Sequence, residues 1–259
     1  MARRAFMGLQ MMVILSAGAG WSGAQETPDL EEILARHAQG HGGHAAWKKV
    51  KSYKMEGTWE AFSDEAPFTL YRQRPNLYYF EHNVLGAPST LAYDGSRPWV
   101  RSGAYGAPQG RVIAEDAGRN VTEDSAFGCT LLAHQADGAA MKLDGRVPQE
   151  GSSYWQVTVT PDDGNTEIWY LDPETGLEFK RVNQTFDVFS GNIETEMETF
   201  YLDFRQVGEV HLAFREERHF GTRYHVLQAE SVELNPAVDA SVFKLPAGAT
   251  TGDGETGGD

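Results

Sequence analysis

The chain reads as a mainly β protein: one large antiparallel sheet, curved toward a barrel, with a few covering helices. Three observations predict this. Period-2 alternation recurs along much of the chain, as where Tyr53, Met55, Gly57, Trp59 and Ala61 interleave with Lys54, Glu56, Thr58 and Glu60. Turn-forming clusters, Pro161-Asp162-Asp163-Gly164-Asn165 and Asp172-Pro173-Glu174-Thr175-Gly176, separate such runs as hairpin connections do. The runs follow one another too closely for βαβ units, and the longest suit a strongly curved sheet better than a flat one.

The elements follow in order. Residues 1–24 have the pattern of an export signal. Arg3 and Arg4 precede a short apolar run with Leu9, Met11, Met12, Val13, Ile14 and Leu15, and Ser22-Gly23-Ala24 offers small residues for cleavage before Gln25. The run is too short and glycine-rich for a comfortable membrane span. The arginine pair leaves Sec and twin-arginine export both open. No cysteine follows the run, so the expected product is a soluble periplasmic protein. Its first helix is expected to be capped by Thr27, with Pro28 in the first turn and Leu30, Ile33, Leu34, His37 and Ala38 on one apolar face. Gly40, Gly42 and Gly43 end it. A helical turn over 45–50 comes next.

Strands then dominate. After 53–61, the chain predicts 68–73, 77–84, 89–93, 97–101, 153–160, 165–171, 177–185, 194–206, 209–220 and 223–234, about eleven strands in all. Arg74-Pro75-Asn76 and Tyr93-Asp94-Gly95 read as corners between them. One helix interrupts the series over 122–135. Asn120 and Glu123 have capping-box spacing, and Phe127, Leu131 and Leu132 give an apolar side. The segment 247–259, rich in Gly, Thr and acid without an aromatic residue, is expected to be disordered. The domain proper is then 25–246.

Charge excludes one class of partner. The full chain carries a formal charge of −15, and loss of residues 1–24 leaves 20 basic against 37 acidic residues. Nucleic acid requires a basic surface and is excluded. Docking to an anionic membrane surface is disfavoured for the same reason. Cys129 is the single cysteine, so no internal disulfide can form, and a buried apolar role suits it.

The order Arg72-Gln73-Arg74-Pro75-Asn76-Leu77-Tyr78-Tyr79-Phe80, then Tyr93-Asp94-Gly95 and Trp99, resembles the lipoprotein-sorting carriers of the bacterial periplasm, the LolA/LolB-like family. The helix around Phe127-Gly128-Cys129-Thr130-Leu131-Leu132 stands where that family has its lid. The ending Val238-Asp239, Phe243 and Pro246 matches the family's closing segment. The resemblance is strongest over 71–100, whereas 141–234 matches only as a strand pattern and is longer than in the sorting carriers. It implies a half-open β-barrel that shelters an acyl chain. It implies no catalysis and no cofactor, an acyl or lipoprotein cargo, and room for a membrane-protein donor or acceptor. It also implies that Arg74, at the matching corner, latches the lid through hydrogen bonds to lid backbone; Arg72 is the competing candidate if the register differs.

An acyl site needs a dry concave surface, because each buried methylene contributes about 0.8 kcal/mol. Trp59, Phe68, Leu70, Phe80, Trp99, Trp155 and Val157 are the candidate lining, and Phe127, Leu131 and Leu132 the candidate lid contacts. A filled core is the competing reading of the same residues. The alternatives in function are a periplasmic sensor or regulatory module that recognises lipoproteins with this fold, and an uncharacterised hydrolase or metal-binding protein. His37 and His41 share a helix face as metal ligands do, and His44 follows. No acid or thiol stands at matching spacing, so no metal site is expected, with His37 in the core and His41 on the surface. No nucleophile, zinc-hydrolase or phosphate-loop motif occurs, and the alternating Glu194, Glu196 and Glu198 read as a solvated strand face.

Overall fold

The computed structural model describes residues 28–250, apart from 62–63, 85, 115–116, 163 and 188–192. The export-signal reading, Thr27 as a cap, and the tail from 251 onward lie outside the described residues.

Two short helices open the fold, α1 (Leu30–Gly40) and α2 (His44–Lys49). The cap of α1 is Asp29, whose carboxylate accepts the Glu32 N–H at 2.9 Å, so Pro28 lies just outside the helix. Six strands follow: β1 (Ser52–Ala61), β2 (Asp64–Gln73), β3 (Leu77–Val84), β4 (Ala87–Tyr93), β5 (Pro98–Ser102) and β6 (Ala107–Val112). Helices α3 (Arg119–Asp124) and α4 (Thr130–Asp137) then cross to the second half. That half contains β7 (Ala140–Gln149), β8 (Ser152–Thr160), β9 (Glu167–Leu171), β10 (Glu178–Asp187), β11 (Ile193–Val207), β12 (Val210–Phe220) and β13 (Arg223–Leu234).

All thirteen strands form one antiparallel sheet in the order β6-β5-β4-β3-β2-β1-β13-β12-β11-β10-β9-β8-β7. The chain thus builds one half outward from β1, crosses over, and returns strand by strand until β13 pairs with β1. β6 and β7 are the two ends and do not pair with each other, so the sheet stays open. These are the two strands missing from the sequence-based set. β6 contains Pro108 and Gly110 and shows no apolar–polar alternation, whereas β7 alternates Met141, Leu143 and Val147 with Lys142, Asp144 and Arg146 but is interrupted by Gly145 and Pro148. Proline removes a ladder donor and is tolerated at an edge, so the signals that argue against a strand fit an edge strand.

The expected helix over 122–135 is two helices, parted at Gly128, which has φ +90°. A Cβ there would stand 3.2 Å from the Trp47 ring, so glycine serves both the break and the close packing on α2. The capping box does not form. α3 starts after Gly118, Asn120 accepts from the Thr185 hydroxyl, and the Glu123 carboxylate takes the side-chain amides of Asn165 and Asn183.

Cross-strand partners share a face. The ladder Leu70–Phe80, Phe80–Leu91 and Leu91–Val100 runs along the concave side and belongs to the main core. Trp99, adjacent to Val100, therefore points to the other side. There the 3₁₀ turn Ala240–Phe243, capped by Asp239, covers it, and the Trp99 indole donates to the Phe243 carbonyl at 2.9 Å. The closing segment thus docks on the convex face. Beyond it Thr250 bridges to Arg111 and its N–H donates to the Gly110 carbonyl, so 247–250, expected to be disordered, is tied to β6.

Replacing Trp99 with Ala should therefore destabilise the protein by about 3–5 kcal/mol, as expected for a buried tryptophan. It should also raise amide exchange over 240–250. Urea unfolding that shows a loss below about 1 kcal/mol would contradict this packing.

Candidate functional site

The concave face carries an apolar chamber of about 120 Å³ between the sheet and α3. Trp59, Tyr78, Phe80, Leu91, Phe220 and Leu227 supply its apolar walls, and Val121 of α3 closes one side. On β3 the alternation Tyr78, Phe80, His82, Val84 sends every second residue inward. Two histidines are among the aromatic walls. His82 stacks on Phe80 at 4.5 Å, and His225 lies 5.3 Å from Trp59. Burial is the main reason the His82 pKa falls to about 3 and that of His225 to about 4, and Arg218 and Arg223 depress His225 further. Both rings are neutral at physiological pH and act as aromatic lining.

A polar chamber of about 50 Å³ lies beside it, and a third of about 20 Å³ adjoins both. The wall between them is charged. Arg218 makes a bidentate pair with Asp124 at 2.7 and 3.0 Å and a further contact to Glu216 at 3.1 Å. Burial alone would raise the Asp124 carboxyl; Arg218, with Arg72 and Arg181 behind it, holds it below its ordinary value. Arg72 is buried, with Tyr53 and Tyr78 on either side, and its guanidinium donates to the carbonyls of Ala126 and Gly128 at 3.1 and 3.4 Å. The stretch between α3 and α4 is thus held by two arginines from the sheet.

Of the expected lining, Trp59 and Phe80 face the apolar chamber, and Phe68 and Leu70 face the small adjoining one. Trp155 and Val157 are buried on β8 in the other half of the sheet and do not line the apolar chamber, and Trp99 is on the convex side. Phe127, Leu131 and Leu132 are buried under the crossover, with Phe127 against Trp47 and Tyr53. The hydrogen bonds to backbone of the expected lid segment are made by Arg72 rather than Arg74. Arg74 donates instead to the carbonyls of Trp47 and Val50 at the end of α2, at 2.9 Å each, and lies 4.4 Å over the Phe127 ring. The inward face of β2 alternates through Phe68, Leu70 and Arg72, which places Arg72 inside; Arg74 lies beyond the strand, in the corner.

The second polar group was not expected. His37 and His41 are both buried, and they meet Cys129 and Glu178. Glu178 Oε2 is 3.2 Å from His37 Nε2 and 2.6 Å from His41 Nε2. Cys129 Sγ is 3.7 Å from His37 Nε2 and 3.5 Å from Glu178 Oε1. Burial works against each charged form, but the neighbours outweigh it: Glu178 is held well below the usual carboxylate range and His41 well above the usual imidazole value. His41 is not on the surface because Gly42 lets the β11–β12 turn close over it. A Cβ at Gly42 would meet the Glu209 carbonyl at 2.1 Å. Glu178 faces inward because the β9–β10 ladder slips between Glu178 and Lys180, so it shares the side of Arg181 and Asn183 despite its even number.

Two outcomes follow from this geometry. An unfolded histidine has a pKa near 6.5, so as pH falls the unfolded chain takes up protons before the buried His82 and His225 do. Their contribution is present above about pH 6.5 and is lost on acidification toward their folded values. A His82→Gln, His225→Gln double variant should lose less stability than the parent between about pH 7 and pH 5; equal slopes would show that these rings do not titrate as described. Separately, Arg72→Leu should raise amide exchange over 125–129, whereas Arg74→Leu should act first at the end of α2. Exchange at 125–129 that responds to Arg74 alone would reverse the assignment.

No family profile matches the chain, and neither does any curated protein. Solved structures do. A DUF1329 family protein from Desulfovibrio piger aligns over 84% of this chain and 98% of its own, at TM-score 0.56 and 10% identity. An outer membrane lipoprotein-sorting protein domain from Vibrio parahaemolyticus aligns over 82% and 94%, at 0.55 and 9%. A LolA superfamily protein from Nitrosomonas europaea aligns over 75% and 90%, at 0.51 and 10%. At such identities the likeness concerns the fold, and it agrees with an open thirteen-stranded sheet carrying helices on its concave side. The chain has the LolA-like half-barrel fold.

Proposed function

We propose that this protein is a periplasmic carrier that binds an acyl chain, free or as part of a lipoprotein, and releases it without making or breaking a bond. The observation that carries the reading is the apolar chamber under α3, walled by Trp59, Phe80, Leu91, Phe220 and Leu227. A half-barrel with a filled concave face would leave no such space. The similarity to the Vibrio parahaemolyticus lipoprotein-sorting protein domain supports the same class of cargo. No described helix is long and apolar enough to cross a membrane.

Size decides how the cargo must bind. The chamber, at about 120 Å³, is smaller than the cavity of about 150 Å³ that accepts a benzene molecule in another protein. It has room for only part of an acyl chain. A longer chain requires the wall of Asp124, Arg218 and Arg72 to part, which joins the chambers and lifts the α3–α4 stretch. Binding therefore costs the separation of a buried ion pair, offset by about 0.8 kcal/mol for each methylene that leaves water.

A fluorescent fatty acid should bind saturably, and Phe80→Asp should abolish binding by placing a charge among the aromatic walls. Trp99→Phe, on the convex face, should bind as the parent does. Absence of saturable binding by folded parent protein, or equal binding by the Phe80 variant, would overturn the carrier reading.

A further inference from the structure

The four buried side chains His37, His41, Cys129 and Glu178 come from separate parts of the chain. His37 lies on α1, His41 caps its end, Cys129 caps the start of α4, and Glu178 opens β10. Their donor atoms all lie within 4.8 Å of one another. From this convergence we infer that they form a transition-metal site with two imidazoles, one thiolate and one carboxylate, suited to zinc.

The distances support a tetrahedron. With ordinary zinc bond lengths, two nitrogen or oxygen ligands stand about 3.3 Å apart and a sulfur–nitrogen pair about 3.6 Å. His37 Nε2 stands 3.2 Å from Glu178 Oε2 and 3.7 Å from Cys129 Sγ, and Sγ stands 3.5 Å from the other carboxylate oxygen, Oε1. The His41–Glu178 contact, at 2.6 Å, has to widen, and the widest donor separations, up to 4.8 Å, have to close. The ring orientation agrees. His41 Nδ1 lies 3.1 Å from the His211 carbonyl, so Nδ1 donates there and Nε2 is the nitrogen facing the cluster, where a bound metal would displace its proton. This is the outer-shell arrangement of a metal-bound histidine.

A nucleophilic triad fits less well. In a relay, cysteine and carboxylate engage opposite nitrogens of the histidine. Here Cys129 and Glu178 both approach His37 Nε2, and Nδ1 of that ring has no hydrogen-bond partner in the described structure. The groups aim at a common point rather than along a line.

Charge and chemistry select the ion. A thiolate, a carboxylate and two neutral imidazoles sum to −2, which a divalent cation neutralises where net charge is costly. Mixed sulfur and nitrogen ligands exclude magnesium and calcium, which take oxygen. Four protein ligands close the coordination sphere, as in structural rather than catalytic zinc sites. The polar chamber, lined by His41, Cys129 and Glu178, gives the ion a path to the cluster. Once bound, it ties the α3–α4 stretch to α1 and to β10. The site stands on these residues and not on the carrier reading.

The test is a cobalt(II) titration of full-length protein, reduced and stripped with chelator. One equivalent should bind, with the intense d–d bands of tetrahedral cobalt and a thiolate-to-cobalt charge-transfer band. Zinc should displace the cobalt and erase both. Cys129→Ser should lose the charge-transfer band, and Glu178→Gln should weaken binding more than about 100-fold, beyond the loss typical of an outer-shell change. His44→Ala, exposed just past α1, should titrate as the parent does. Folding of each variant is checked by circular dichroism, and Glu178→Gln carries the test if the cysteine variant does not fold. Folded parent protein without a charge-transfer band, or a folded ligand variant with the parent's spectrum and affinity, would overturn the assignment.

Discussion

The structure depends on two guanidinium groups placed inside an apolar half-barrel. Arg72 and Arg218 project from the concave face, where an unpaired charge would be strongly destabilising. Among the described residues, the crossover supplies the Asp124 carboxylate at the end of α3 to Arg218 and the carbonyls of Ala126 and Gly128 beyond it to Arg72. The crossover is therefore more than a connection between two halves of the sheet. It satisfies charges the sheet alone leaves open, and the sheet in turn fixes short helices that would be marginal alone. Removing either side leaves a buried charge or a set of open carbonyls.

That arrangement also divides the interior. The arginine–aspartate wall separates an apolar chamber, lined by aromatic side chains and two neutral histidines, from a polar one reaching His41, Cys129 and Glu178. The two can respond to different ligands because the first offers area and the second offers donor atoms. They share the same boundary, since Asp124 and Cys129 bracket the stretch between α3 and α4.

The period-2 pattern made most of the sheet legible: β3 and β13 match the sequence-based bounds, and the other interior strands differ from them by only a few residues at an end. The edges were missed: in β6 Pro108 and Gly110 read as breakers, and in β7 Gly145 and Pro148 obscured an alternation of Met141, Leu143 and Val147 with Lys142, Asp144 and Arg146. The site was legible in part. Phe80 and Trp59 lie on faces that simple alternation identifies, and the same alternation through Tyr78 and Phe80 could have added His82. Along β12, Leu212, Phe214, Glu216 and Arg218 share one face. A charged pair continuing an apolar face was the available sign of a buried ion pair. Trp99 was misplaced because an apolar residue next to an apolar residue does not say which of the two faces inward. The meeting of His37 and His41 with Cys129 and Glu178 had no local signal. It requires residues separated by up to 141 positions, and at Glu178 a slip in the ladder reverses the face that counting assigns.

In the proposed carrier role, cargo enters the concave face beneath α3. A second apolar surface exists outside, a groove between α1, α4 and β7 lined by Leu30, Leu34, Ala136 and Met141. A photoactivatable fatty acid, crosslinked to the folded protein and mapped by peptide mass spectrometry, separates the two. Entry beneath α3 should give crosslinks on β3, β4, β12 and β13, at or beside Phe80, Leu91, Phe220 and Leu227, together with Val121 of α3. Crosslinks confined to the outer groove at Leu30, Leu34 and Met141 would contradict it.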